Sequence, residues 1–261
     1  MAGNLVAATL KGGLFTRVVG RRLLFFQEIS STMDEAARQA AAGTEEGTVV
    51  VAENQTAGRG RQGRDWVSRQ GNLYLSVVFR PSPHALPFVT ILSAVATVRA
   101  IRKTTGLEPR IKWPNDIQLD GRKVAGILVE SAVQGGVVAY AIAGIGINVN
   151  LETDHVRDIA GFATALNAAA GRLVAREEVL RQLLQELDAL YLQTAQGGSP
   201  LAEWRGLLDT LGQWVRAYSG NETHMGHAED VDGLGNLLLR LEDGRRITLT
   251  AGDVTLHGLE P

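Results

Sequence analysis

IKWPNDIQLDGRKVAGILVES, residues 111–131, is the stretch whose reading decides the fold. Residues 111–113 are apolar or long and read as the start of a strand, which Pro114 punctuates because its fixed φ and missing N–H do not suit a ladder. Residues 117–119 and 122–129 flank Asp120-Gly121, a pair that tolerates positive φ at both positions and so predicts an antiparallel hairpin closed by a two-residue turn. Lys123 then stands just beyond a tight turn, within reach of Asn115 and Asp116.

Outward from this hairpin the chain keeps supplying sheet and helix in alternation. Residues 137–149 mix β-branched and small residues and predict a central strand, where Gly144 and Gly146 let a ligand or another backbone come close. Upstream, residues 73–79, 49–51 and 23–26 read as strands, the first of them ended by Pro81 and Pro83. Ser31 and Thr32 followed by Asp34 and Glu35 form a capping-box pattern for a short Ala-rich helix that Gly43 stops. Ile91, Val95, Val98 and Ile101 recur at helical spacing within 86–105, with Gly106 as terminator. Leu180, Leu183, Leu184, Leu187 and Leu190 stripe a second helix that ends in the loop 196–200.

Beyond Trp204 and Leu208 the texture changes to short strand-like runs and turns, which predicts a small all-β module beginning near Gly212. The expected organisation is therefore α+β, with one domain over residues 1–211 and a second over 212–261. His224 and His227, three apart, would share a metal only on a helix; here the segment reads as a loop and no third ligand is evident.

Composition narrows the chemistry. With 261 residues, 45% of them hydrophobic, the chain can bury a sizeable core. A net charge of -2 gives no global pull toward nucleic acid or anionic lipid, so phosphate binding must be local. The absence of cysteine excludes disulfides, thiolate metal sites and cysteine nucleophiles, and suits a reducing cytoplasm. No apolar run approaches the roughly 20 residues of a membrane span.

Two clusters carry chemistry. GRGRQGR, residues 58–64, matches a dinucleotide fingerprint in spelling but leads through Trp66 toward another strand instead of a helix, which argues against a nucleotide-dependent oxidoreductase. Its glycines free the backbone, and Arg59, Arg61 and Arg64 offer planar donors for phosphate or carboxylate oxygens. A solvated basic loop or an RNA-binding turn would have the same composition. In KWPND, Asn115 and Asp116 are hard oxygen ligands able to hold Mg²⁺ on a nucleotide phosphate, with Lys123 reaching the same space; in isolation Lys123 would read as a surface lysine.

Taken together, SSTMDEA (residues 30–36), NQTAGRGRQGRDW (54–66), NLYLSVVFRP (72–81), the opening stretch 111–131 and GIGINVN (144–150) resemble the biotin-protein ligase family in order and spacing over nearly the whole chain. The resemblance implies a catalytic domain like that of class II aminoacyl-tRNA synthetases, a mixed sheet flanked by helices, followed by a small SH3-like barrel. By motif position Ser31, Thr32 and the backbone of Met33 would contact biotin, and Gln55 would read its ureido ring. Met33 stands where the family often has Asn. Gly58, Arg59, Gly60, Arg61 and Gly63 would form a loop closing over biotin and its adenylate, with Trp66 in the same loop. Gly126, Gly146 and, behind that loop, Asn148 would line the pocket. Lys123, Arg61 and Asp116 would carry the chemistry, Asn115 and Asp116 placing Mg²⁺ and ATP.

The resemblance further implies two steps: the biotin carboxylate attacks the α-phosphate of ATP, then a lysine of a biotin carboxyl carrier protein domain attacks the acyl carbon. Asp116 is the expected base for that amine. A labile adenylate needs shielding from water, so the loop 58–64 is expected to be disordered until ligand arrives. Lipoate or octanoate ligases share this fold and chemistry, and a binding-only protein would keep the contacts without turnover. The residues before the first motif are too few for a winged-helix domain, so no DNA partner is expected; a homodimer through the catalytic sheet is.

Overall fold

The computed structural model describes residues 13–135, 137–150, 161–220 and 222–256. Seven strands form the main sheet: β1 (Leu23–Ile29), β2 (Val49–Gln55), β3 (Leu73–Phe79), β4 (Arg110–Lys112), β5 (Asp116–Leu119), β6 (Arg122–Gln134) and β7 (Val137–Ile147). Their order is β1-β2-β3-β7-β6-β5-β4, so the strand predicted over 137–149 is indeed central. β1 and β2 pair in parallel and the remaining neighbours antiparallel, which makes the sheet mixed. Parallel pairing needs a crossover, supplied by α1 (Thr32–Ala41).

The two-residue period of the strands sorts their side chains. In β3, Leu73, Leu75, Val77 and Phe79 enter the main core, while Val78 joins a smaller cluster with Met33, Ala36, Ala40, Val50 and Ile142 beneath α1. The main core is completed by α2 (Val89–Thr105) and α4 (Arg176–Ala195), which pack on each other against the sheet. All five leucines of the predicted stripe on α4 are buried. Residues 86–88, read as helix, form a separate single turn around Pro87, and Gly106 closes α2 with φ +77°.

The hairpin that opened the sequence analysis forms as expected. Asp120 and Gly121 have φ of +49° and +75°, the conformation in which the turn's twist matches its strands. β6 runs to Gln134, beyond the residue 129 read from sequence, because it gains β7 as a partner along its length.

α3 (Leu166–Ala170) and α5 (Leu201–Leu207) lead to a second, antiparallel sheet. It contains β8 (Trp214–Ser219), β9 (Glu222–Val231), β10 (Leu237–Leu241), β11 (Arg246–Leu249) and β12 (Asp253–Leu256) in the order β11-β10-β9-β8-β12. Among the described residues these strands make an open sheet with β11 and β12 as edges, not a closed barrel. β9 corrects the reading of its segment as a loop. Its polar residues look unlike a strand in isolation, but β8 and β10 pair with it on both sides. His224 and His227 therefore project to opposite faces of a strand, which removes the basis for a shared metal.

The second sheet is not a separate bead. Val215, Ala217, Leu237, Leu239 and Val254 belong to the same buried cluster as the main sheet. Trp113 ties the units together, its backbone N–H donating to Thr210 Oγ1 at 2.9 Å and its indole N–H to the Gly235 carbonyl at 3.0 Å. No helix among the described residues is long and apolar enough to cross a membrane.

Candidate active site

Strand register places one row of residues across the sheet: Tyr74 opposite Gly146, Gly146 opposite Gly126, Gly126 opposite Asp116, and Asp116 opposite Lys112. The two glycines at the centre of this row leave a bare backbone floor. Trp66 lies on that floor: a Cβ at Gly146 would stand 2.5 Å from its indole Cε2, and one at Gly126 would stand 3.0 Å from its Cζ3 and from Lys123 Cε. Gly144 in the next row is covered by Met33, whose Sδ would be 2.5 Å from an added Cβ. Only glycine permits these approaches.

The start of α1 forms one wall. Ser31 caps the helix by accepting from the Met33 N–H at 3.2 Å. Among the described hydrogen bonds the reciprocal half of the predicted capping box is absent, since Asp34, three residues after Ser31, pairs with Arg59 instead. A directed chain of hydrogen bonds links this wall to the loop. Ser76 Oγ donates to Thr32 Oγ1 at 2.9 Å, Thr32 Oγ1 to Gln55 Oε1 at 3.1 Å, Gln55 Nε2 to Ser68 Oγ at 2.9 Å, and Ser68 Oγ to the Trp66 carbonyl at 3.2 Å.

The loop 58–66 joins β2 to β3, the strand-to-strand setting that distinguishes it from a dinucleotide fingerprint. It folds on itself through Gly60 N–H to the Arg64 carbonyl at 2.7 Å and Trp66 N–H to the Gly58 carbonyl at 2.9 Å. Three arginines then fasten it. Arg59 pairs with Glu130 and Asp34, each at 2.8 Å; Arg61 donates to Asn115 Oδ1 at 2.9 Å; Arg64 pairs with Asp253 Oδ2 at 2.7 Å. These side chains hold the loop closed over the floor.

At the far end Lys123 Nζ stands 2.6 Å from Asp116 Oδ1 and 5.2 Å from the centroid of the Trp66 ring. Burial pushes the Arg61 guanidinium below its usual range, and the charges of Asp253 and Asp116 oppose that shift. Arginine stays charged throughout the working range all the same. Burial pushes the Asp253 carboxyl up, but the hydrogen bond from Arg64 and the charges of Lys112 and Arg64 outweigh it and hold it below the usual carboxylate range.

Every residue named from the sequence lines this one cleft except Gly58, Gly63 and Asn148. Gly58 packs beneath Trp66 and Ser68, Gly63 completes a turn with φ +71°, and Asn148 braces the chain behind β6 by donating to the Thr164 carbonyl at 3.1 Å. Asn115 and Asp116 do not converge as a ready cation site. Asn115 donates to the Ile127 carbonyl at 2.6 Å and spends its oxygen on Arg61, while Asp116 is neutralised by Lys123. Sequence reasoning missed Ser68, Tyr74 and Asp253. Alternation along β3 could have found Tyr74, two residues before Ser76; nothing local marks Asp253, which is 189 residues from Arg64.

A glycine-floored slot with hydroxyl and amide groups at one end, an indole cover, and Lys123 and Arg61 at the other suits an acid whose carboxylate meets phosphate. That is the site of an acyl-activating ligase. Residues 25–148 match the Biotin/lipoate A/B protein ligase family, and residues 210–256 match the Biotin protein ligase C terminal domain. The chain is 38% identical to the bifunctional ligase/repressor BirA of Bacillus spizizenii, over 93% of this chain and 76% of that one. It is 32% identical to the biotin--[acetyl-CoA-carboxylase] ligase of Mycobacterium tuberculosis, over 86% and 85%. The structure of the biotin protein ligase from Aquifex aeolicus in complex with biotin and ATP superposes with a TM-score of 0.77 at 28% identity, covering 91% of this chain and 99% of that one. The chain belongs to the biotin protein ligase family.

Proposed function

We propose that the protein joins biotin to ATP as biotinoyl-5'-AMP and transfers the biotinoyl group to a lysine of a carrier domain in a biotin-dependent carboxylase. The observation that carries this is the convergence of Lys123, Arg61 and the glycine floor under Trp66, in a chain of this family. In the first step a biotin carboxylate oxygen attacks the α-phosphorus and pyrophosphate leaves. Lys123 and Arg61 stabilise the charge gathering on the phosphoryl oxygens, acting in a site largely closed to water. Thr32 and Gln55 hold the polar ring end of biotin, and Gly126 and Gly146 make room for its body.

In the second step the acceptor ε-amine attacks the acyl carbon and AMP departs. A free lysine amine has a pKa near 10.4, so it must lose a proton first. We assign that proton to Asp116, which is released from Lys123 when phosphate oxygens recruit the ammonium. Asp116 is the carboxylate that would assist a Mg²⁺ ion accompanying ATP, and the ion would supply charge neutralisation on the phosphoryl oxygens. The donors present fit no more than an assisting carboxylate.

The same proposal places the reaction in the cytoplasm and treats the molecule as a class II synthetase-like catalytic domain over residues 1–211 with an SH3-like module over 212–261. The mixed seven-stranded sheet and the five antiparallel strands support that division. Pyrophosphate release from Mg-ATP tests the proposal: release with biotin supports it, release with lipoate alone moves the substrate to a linear acyl chain, and none with either acid rejects ligase chemistry.

A further inference from the structure

Among the described residues Asp253 is the one acidic residue of the second sheet that reaches the cleft, and it arrives from the first residue of β12. Its backbone is fixed by pairing with Tyr218 of β8. Gly252 before it has φ +147°, and a Cβ there would stand 2.3 Å from the Tyr218 carbonyl, so the strand enters close against β8. From this anchored position one carboxylate oxygen pairs with Arg64 at 2.7 Å and the other faces Lys112 Nζ at 3.9 Å. Lys112 belongs to β4, an edge of the main sheet, and Arg64 to the loop that carries Trp66. Asp253 thus ties the Gly/Arg loop to a strand edge and to a separate sheet at once.

We propose that Asp253 is a positioning residue whose pairing with Arg64 latches the loop over the bound adenylate, so that the second sheet keeps the intermediate in the cleft until the acceptor lysine arrives. This rests on the ligase reading above. The other loop arginines are fastened within the catalytic unit, Arg59 to Glu130 and Asp34 and Arg61 to Asn115. Arg64 is the loop arginine fastened to the second sheet. Loss of the latch opens the acyl phosphate to water: water attacks the acyl carbon, the bond to the AMP oxygen breaks, and biotin carboxylate and AMP leave with their protons passing to solvent. Pyrophosphate is still made, but fewer acceptors are biotinylated per pyrophosphate released.

The test measures pyrophosphate, free AMP and biotinylated carrier domain in the same reaction, for the full chain and for Asp253→Asn, Arg64→Gln and the double variant. A half-exposed ion pair supports an increase of roughly three- to fivefold, for each single variant, in the AMP released in excess of biotinylated carrier per pyrophosphate. The double variant should leak no more than either single one, because both remove the same contact. A merely structural defect lowers pyrophosphate and transfer together and leaves their ratio unchanged. An unchanged ratio in Asp253→Asn and Arg64→Gln overturns the latch, as does an additive double variant. Arg64→Gln leaves β12 untouched, so it decides the matter if Asp253→Asn does not fold. Absence of biotin-dependent pyrophosphate in the unaltered protein would instead overturn the ligase reading.

Discussion

The Lys123 ammonium lies 2.6 Å from Asp116 Oδ1, with Lys123 just past the turn of the β5–β6 hairpin and Asp116 at the start of β5. In the proposed mechanism the pair would couple the two chemical steps, because phosphate can draw the cation away and leave the carboxylate free.

Lys123→Ala should lower biotin-dependent pyrophosphate release by roughly 10²–10³-fold, the usual loss when one donor to a developing oxyanion is removed. Steady-state release at saturating Mg-ATP checks this. A loss under threefold would show that Lys123 does not meet the phosphoryl oxygens.

Asp116→Asn should separate the steps differently. Transfer from preformed biotinoyl-5'-AMP to a carrier domain should fall by about 10²-fold, in the range assigned to general-base assistance. Single-turnover transfer with added adenylate isolates that step, and undiminished transfer would remove Asp116 from the role of base.

Gly146→Ala should weaken biotin binding more than tenfold and Gly144→Ala less than threefold, as rough bounds set by what each new methyl meets. The first methyl would strike the rigid indole of Trp66 at 2.5 Å, the second the flexible end of Met33 at the same distance. Calorimetric titration with biotin distinguishes them, and equal effects would contradict the placement of Trp66.

Arg176 and Glu53 are paired at 2.7 Å, with only 1% and 5% of their side chains exposed. Glu53→Ala leaves a buried guanidinium without its main counter-charge and should cost about 3–5 kcal/mol, whereas replacing both by apolar residues should cost far less. Urea unfolding at constant slope reads both values. A cost below about 1 kcal/mol for the single variant would refute the pairing as a core element.

Tyr74 anchors the far stem of the loop, donating to the Arg69 carbonyl at 2.8 Å and accepting from the Arg69 N–H at 2.6 Å. Burial pushes its phenol up to about 12 from an ordinary 10.0. The neutral form is favoured in the folded state, so this contribution is fully present below pH 10 and is lost as pH rises toward 12. Tyr74→Phe should cost about 1–3 kcal/mol at neutral pH and flatten the alkaline decline of stability. An alkaline unfolding profile identical to that of the parent protein would refute it.

Local pattern made much of this molecule readable. Asp120-Gly121 specified a turn, Gly106 a helix end and the leucines of α4 a buried stripe, because each depends on neighbours within a few residues. The motif residues were legible as a set for the same reason: the loop glycines and the 112–116 stretch carry unusual chemistry in short segments. β9 was misread because its polar strand is specified by the two neighbours that pair with it. The contacts of Asn115, its oxygen on Arg61 and its amide on the Ile127 carbonyl, are set by residues 54 and 12 positions away and no local pattern specifies them.

The sequence by itself determined the hairpin, the helices on the sheet, the Gly/Arg loop and the inventory of cations and carboxylates. Only the tertiary structure decided which of them meet. Strand register set Gly146 beside Gly126 and brought Trp66 down on both, and the docking of the second sheet carried Asp253 to Arg64 across 189 residues of chain. Local propensity acts over a turn or a strand, whereas partners so far apart in sequence are chosen by the packing of the common core and by the pairing of strand edges.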